Sequence, residues 1–262
     1  MCGIDQFKQK AKAVWSDFAV MESFTGAAAP RLVRFSGIGA TDKILDVACG
    51  SGVVALAAAS AGANVTGIDL TPQLISRANE NAKILNLNID FHEGDAEELP
   101  YENESFDAVL SQFGHMFAPR PSVTLSEMLR VLRPKGTIAF ATWPPELFMG
   151  EFFKIVASYG SPLPERVSSP VVWGNVDTVN ELLGSSVNEI KFDRDRLLMS
   201  GLSIPHLRHT LETGAGSLKS LTEALESEDL QKLRFEIDRA IANYFEDNYL
   251  RMDYLLTKAK KM

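Results

Sequence analysis

Ile44-Leu45-Asp46-Val47-Ala48-Cys49-Gly50-Ser51-Gly52 is a short apolar run closed by two glycines. Val53 to Ala61 continues it as an Ala-rich segment of high helix propensity that stops at Gly62. The pattern predicts strand, tight turn and helix, and Asn64 to Ile68 predicts a second strand ending at Asp69. Gly50 and Gly52 permit a sharp turn and let a ligand approach peptide groups that a Cβ would cover. The free amides of the following helix then face that ligand. The Asp69 carboxylate can accept from both hydroxyls of a ribose, so a nucleoside-containing cofactor is the expected occupant.

Two cofactors fit this outline. Gly50-Ser51-Gly52-Val53-Val54-Ala55 satisfies the dinucleotide pattern G-x-G-x-x-G/A, and 69 − 50 = 19 residues separate Gly50 from Asp69, near the fingerprint spacing of about 20. Asp46 separates the two, because its charge at the end of the first strand repels a pyrophosphate and attracts the amino group and sulfonium of S-adenosylmethionine (SAM).

The chain resembles the class I SAM-dependent methyltransferases. Asp46 to Gly52 matches their D/E-x-G/A-x-G-x-G motif, Asp69 their ribose acid and Gly94-Asp95-Ala96-Glu97-Glu98-Leu99-Pro100 their adenine-side loop. Phe106 to Ser111 matches the fourth strand, and Arg130 to Gly136 the turn into the fifth. The match spans roughly residues 40 to 145 and is closest in pattern to the group holding quinone-biosynthesis C-methyltransferases and many small-molecule methyltransferases. The resemblance implies a cofactor site of Asp46, Ala48, Gly50, Gly52, Asp69, Leu70, Asp95, Ala96, Ser111 and Gln112. In it Asp95 accepts from the adenine amino group and the Ala96 amide donates to the ring. SAM is the expected cofactor and S-adenosylhomocysteine (SAH) the expected product.

Composition sets the outer bounds. At 262 residues, 45% hydrophobic and 23% charged, the chain has the makeup of a soluble globular protein with a sizeable core. Cys2 and Cys49 are its only cysteines, so neither a disulfide framework nor a cysteine-rich zinc site is expected, and a reducing cytoplasm is the simplest home. A net charge of −8 argues against a nucleic-acid backbone as the main partner. No apolar run approaches the roughly 20 residues of a membrane span, and the first residues lack signal-peptide character.

The expected architecture is a single α/β domain over 1–262. It is Rossmann-like, with a seven-stranded, mostly parallel sheet of order 3-2-1-4-5-7-6, helices on both faces and a helical cap. Its parts are an N-terminal helical cap (1–39), a SAM-binding core (40–143), cap helices with a sixth strand (144–250) and a closing strand (251–262). The stripe Phe7, Ala11, Val14, Trp15 and Phe18 predicts a helix over 4–21, with Trp15 and Phe18 read as core packing rather than as lid. A second helix follows Pro30 and ends at Gly37. Thr71-Pro72 reads as N-cap and first turn of another. Strands are expected over 89–92, 137–142, 187–192 and 252–258. The Phe-rich segment beyond Pro144-Pro145 is expected to roof the site.

The loop Gln112-Phe113-Gly114-His115-Met116-Phe117 leaves the fourth strand at the end where ligands bind in open α/β sheets, so the acceptor is expected there. His115 is the candidate catalytic residue, as a general base titrating near neutrality, against a role in loop structure alone. Methyl transfer from a sulfonium mainly requires alignment and exclusion of water. The Asn-Pro-Pro-Tyr loop that the resemblance would place here for amide and nucleobase acceptors is absent, and no Pro-Cys nucleophile exists for cytosine. A small-molecule acceptor is what the resemblance implies, with O-, N- and C-methylation all left open. Two alternatives stand beside this reading: an NAD-dependent oxidoreductase, and a SAM-binding partner protein without turnover.

Overall fold

The computed structural model describes residues 3–16, 18–214 and 216–262, with the side chain of Val20 also outside the described set. Its strands are β1 (Lys43–Val47), β2 (Asn64–Asp69), β3 (Asp90–Glu93), β4 (Phe106–Gln112), β5 (Leu132–Thr142), β6 (Val187–Ser200), β7 (Phe245–Glu246) and β8 (Tyr249–Lys261). They form one sheet of order β3-β2-β1-β4-β5-β8-β6, with β7 paired to β8. The first five run parallel, and β8 is antiparallel to both β5 and β6. Helices over Val53–Ser60, Pro72–Ile84 and Pro121–Val131 make the crossovers between parallel strands.

The sequence order 3-2-1-4-5-7-6 is found, the expected seventh strand being β8, and one short strand is added. Phe245–Glu246 folds back on Tyr249–Leu250 through Asp247 and Asn248, at φ 49° and 63°. Two left-handed residues at a two-residue turn suit a twisted hairpin, and Asp and Asn tolerate that region best after glycine. The edge strand β6 runs to Ser200 instead of Phe192, because Asp193-Arg194-Asp195-Arg196 continues the ladder with β8. Charges of this kind suit an exposed sheet edge. Two of them, Asp193 and Asp195, pair with Arg31.

The sheet centre is closed by side chains with almost no exposure, among them Ile44, Leu45, Leu110 and Phe140. The helix expected over 4–21 is broken into Gly3–Trp15, a 3-10 turn over Phe18–Met21 and a short helix over Glu22–Gly26; Asp17 lies outside the described residues. Gly37 ends the Ala29–Ser36 helix at φ 72°, as expected of a left-handed C-terminal glycine. Thr71 precedes Pro72 in extended conformation, yet its hydroxyl makes no capping bond; its amide instead donates to Asp69 Oδ1 at 2.8 Å.

Candidate active site

The turn after β1 is held in a left-handed path, with Ala48 at φ 53°, Gly50 at 55° and Gly52 at 86°. A non-glycine residue in that region is strained and tends to mark a functional turn. Carboxylates fix the turn at two points. Asp46 Oδ2 accepts from the Ala55 amide at 2.9 Å, and Asp69 Oδ2 accepts from the Gly50 amide at 2.8 Å. Asp69 thus locks β2 to the glycine loop while keeping acceptor capacity toward the cleft beside it.

That cleft lies at the C-terminal ends of β1 to β4 and contains about 1010 Å³ of atom-free space, part of it open to solvent. Ala48, Gly50, Asp69, Leu70, Asp95, Ala96, Gln112 and His115 line it, so eight of the eleven residues singled out in the sequence meet on one wall. Asp46, Gly52 and Ser111 lie behind that wall. Gly52 is needed for packing: a Cβ there would stand 2.9 Å from Phe91 and 3.2 Å from Ala78. At Gly50 nothing lies within 4 Å of that position, which leaves room for a ligand.

The roof is not the expected one. No described residue after Pro119 lines the cleft; Phe148, Phe152 and Trp173 are buried in the core instead. The cover is the N-terminal helix, which has no buried residue of its own and places Phe7, Lys8, Ala11 and Trp15 on the cleft. Phe18 joins them, so Trp15 and Phe18, read in the sequence as core packing, are wall residues. The amphipathic stripe was legible, but its partner was not, because a stripe facing a cavity and one facing a core have the same period. Trp15 packs on Phe117 with ring centroids 4.6 Å apart. Lys8 Nζ reaches Asp95 Oδ2 at 2.5 Å and Glu97 Oε2 at 2.7 Å. Burial lowers the Lys8 pKa, but the hydrogen bonds to both carboxylates outweigh it and leave the ammonium above its ordinary value.

Burial dominates the electrostatics of the wall. It pushes Asp46 up to about 8, against the Ala55 amide and with help from the Asp69 charge. Asp69 is raised by the same desolvation, opposed by the Thr71 and Gly50 amides. Burial pulls His115 down to about 3, so it is a neutral imidazole at neutrality and not the base titrating near 7 that its sequence position suggested. Gly114 wedges the preceding loop against Ala48, where a Cβ would meet the Ala48 carbonyl oxygen at 2.4 Å.

Two polar groups on the wall lack partners. Gln112 Nε2 donates to the Thr25 carbonyl at 2.8 Å, which leaves Oε1 buried and unbonded; a flipped amide would set two acceptors against each other. His115 Nε2 is likewise buried and unbonded, as is Asp46 Oδ1 behind the wall.

Residues 45–140 match the model of a methyltransferase domain. An uncharacterized protein of Mycobacterium tuberculosis is 35% identical over 248 residues, 93% of this chain and 90% of the other. A demethylmenaquinone methyltransferase of Deinococcus radiodurans is 38% identical over 105 residues, 39% of this chain and 44% of that one. Among solved structures, that of a methyltransferase, so far putative, from Bacillus halodurans superposes with a TM-score of 0.62 at 18% identity, over 90% of this chain and 99% of that one.

Proposed function

The chain belongs to the methyltransferase-domain family, and from that premise we propose that it transfers a methyl group from SAM to a small-molecule acceptor. The observation that carries this is the left-handed glycine loop, open at Gly50 where a Cβ would stand, on one cleft with the carboxylates of Asp69 and Asp95. A wall that carries Asp69 and Asp95, with Asp46 behind it, favours a ligand that brings donors and positive charge, and an ammonium beside a sulfonium supplies both. A pyrophosphate supplies neither, which counts against an NAD-dependent oxidoreductase.

Asp69 would take the ribose hydroxyls, Asp95 the adenine amino group and the Ala96 amide the ring. Gln112 would lie beside the amino-acid end, with the charge of Asp46 acting from behind the wall, and the absence of a Cβ at Gly50 gives it room. Bound there, SAM supplies a methyl group already activated on sulfur. The protein's share is alignment and dryness: the Lys8 and Trp15 side of the N-terminal helix covers the cleft, and the Phe113 to Phe117 loop sets its floor. No helix among the described residues is long and apolar enough to cross a membrane.

Calorimetric titration with SAM, SAH and NAD tests the cofactor assignment. Tighter binding of NAD than of SAM would overturn it. Incubation with methyl-labelled SAM and a metabolite extract, followed by identification of the labelled product, tests turnover; labelled product distinguishes an enzyme from a SAM-binding partner protein.

A further inference from the structure

Resting on that methyltransferase reading, we propose that the acceptor is a molecule without an anionic group, whose apolar body lies on Trp15, Phe18 and Phe117 at the β4 end of the cleft. Chain position and contacts place that end. Gln112 closes β4, and Phe117 follows in the loop that leaves it; both line the cleft. Trp15 packs on Phe117 and Phe18, with ring centroids 4.6 Å and 5.2 Å away. Gln112 Nε2 donates to the Thr25 carbonyl at 2.8 Å, which brings Thr25, another lining residue, to the same end. Lys8 marks the other end, on Asp95, and Trp15 lies about two turns, or about 10 Å, from it along the same helix. A cofactor that runs from Asp95 to Gln112 brings its sulfur toward the rings.

Side-chain chemistry decides what can sit there. Trp15, Phe18 and Phe117 are each half-buried and line the cleft, so they hold apolar surface that the fold leaves incompletely covered. An apolar ligand body gains by covering it. The polar side chains of that end are turned to the protein: Thr25 Oγ1 donates to the Met21 carbonyl at 3.1 Å, and Gln112 Nε2 to Thr25. Lys8 is the only lysine or arginine among the described lining residues, and it stands at the other end, where Asp95 and Glu97 hold it. A carboxylate or phosphate on the acceptor would therefore lose hydration against aromatic rings without gaining a counter-charge from the protein, in a cleft that already carries Asp69 and Asp95. SAM differs, because its ammonium and sulfonium offset its own carboxylate. Neutral and cationic acceptors alike escape this penalty.

The test pairs two probes of one shape, 2-naphthamide and 2-naphthoate, with benzamide as the smaller neutral ring. Each is titrated into the full chain saturated with SAH, and again with sinefungin, whose amine sets a positive charge where SAM carries its sulfonium. 2-Naphthamide should bind about ten-fold or more tightly than 2-naphthoate in both complexes, and more tightly than benzamide. In protein labelled with 15N-tryptophan it should shift the indole resonance of Trp15 and leave that of Trp173, which is fully buried and does not line the cleft. Trp15→Ala should weaken the amide about three-fold or more with SAH affinity unchanged; the Gly3–Trp15 helix has no buried residue, so the variant keeps its core. Equal or tighter binding of the naphthoate in either complex would overturn the proposal, as would no binding of the amide, an unmoved Trp15 resonance, or an amide affinity indifferent to Trp15→Ala. Failure of SAH and sinefungin to bind, with the amide still ahead of the naphthoate in the free protein, would instead remove the methyltransferase reading and leave an apolar ligand site.

Discussion

Lys8 Nζ stands 2.5 Å from Asp95 Oδ2, so the N-terminal helix is tied across the mouth of the cleft to the carboxylate assigned to the adenine amino group. The tie runs deeper through Glu97, whose side chain has no exposure and accepts from both the backbone amide and the guanidinium of Arg120. On the proposed assignment of Asp95, covering the cleft and reading the base are coupled at one lysine. Lys8→Met should loosen the Gly3–Trp15 helix, raising its amide exchange by about ten-fold, and should speed SAH release by a similar factor. Unchanged exchange in that helix would show that its apolar contacts hold it without the ion pair.

Asp69 has two duties in the structure. Its carboxylate accepts from the Gly50 and Thr71 amides and lines the cleft. Asp69→Ala should therefore weaken SAM by about 1–3 kcal/mol and also lower stability, since two loop amides lose their partner. Calorimetry and thermal melts on the same variant check both effects; an unchanged affinity would remove Asp69 from the cofactor site.

The sheet order and most of the cleft wall were legible because strand, turn and helix signals from Ile44 to Thr142 are local, and each names its own place in a βα repeat. What was not legible depends on long-range partners. Asp193 to Arg196 reads as a solvated charge run until Arg31 and the β8 ladder are beside it. Phe148, Phe152 and Trp173 carry the same apolar signal whether they line a cleft or fill a core. His115 was placed correctly on the wall, but its protonation state rests on Ser111, Val47 and complete burial, none of which its sequence position reveals.

The two loop glycines should separate binding from folding. Gly52 sits at φ 86° with Phe91 and Ala78 against its open face, so Gly52→Ala should cost about 1–3 kcal/mol of stability. Gly50, at φ 55°, faces open space; Gly50→Ala adds the same kind of backbone strain but no clash with the protein. Its larger effect should be on SAM, with affinity falling about ten-fold or more where the methyl group intrudes. Equal losses of stability and affinity in the two variants would contradict this division.

Asp46 should make cofactor binding release a proton. With its carboxyl pushed up to about 8 by burial behind the cleft wall, it is largely protonated at neutrality, and an incoming cation favours the ionised form. SAM affinity should thus rise with pH between about 6 and 8, and calorimetry in buffers of different ionisation heat should count the proton released. The stability sign runs the other way. A folded pKa raised from 3.8 contributes stability that is present below the unfolded value and lost as pH climbs through the folded one. Asp46→Asn should gain a few degrees in Tm on the wild type between pH 6.5 and 8 and lose the pH dependence of SAM binding.

His115 should remain silent across the range in which a catalytic base would titrate. Burial holds its pKa near 3, and Nδ1 is committed to Ser111, so its 15N resonances should not move between pH 5 and 8, and the rate profile should show no acidic limb near 6.5 from this residue. The linkage sign follows: a histidine whose folded pKa lies below its unfolded value adds stability above about 6.5 and loses it as pH falls toward 3. Over pH 4 to 6.5 this slope opposes that of Asp46, so the wild-type curve should be flatter there than either group alone would make it. His115→Phe removes one of the opposed slopes, and its stability relative to wild type should improve as pH drops from 6.5 to 4. A protonated His115 resonance at pH 6, or an acidic limb abolished by His115→Phe, would restore the residue as a general base.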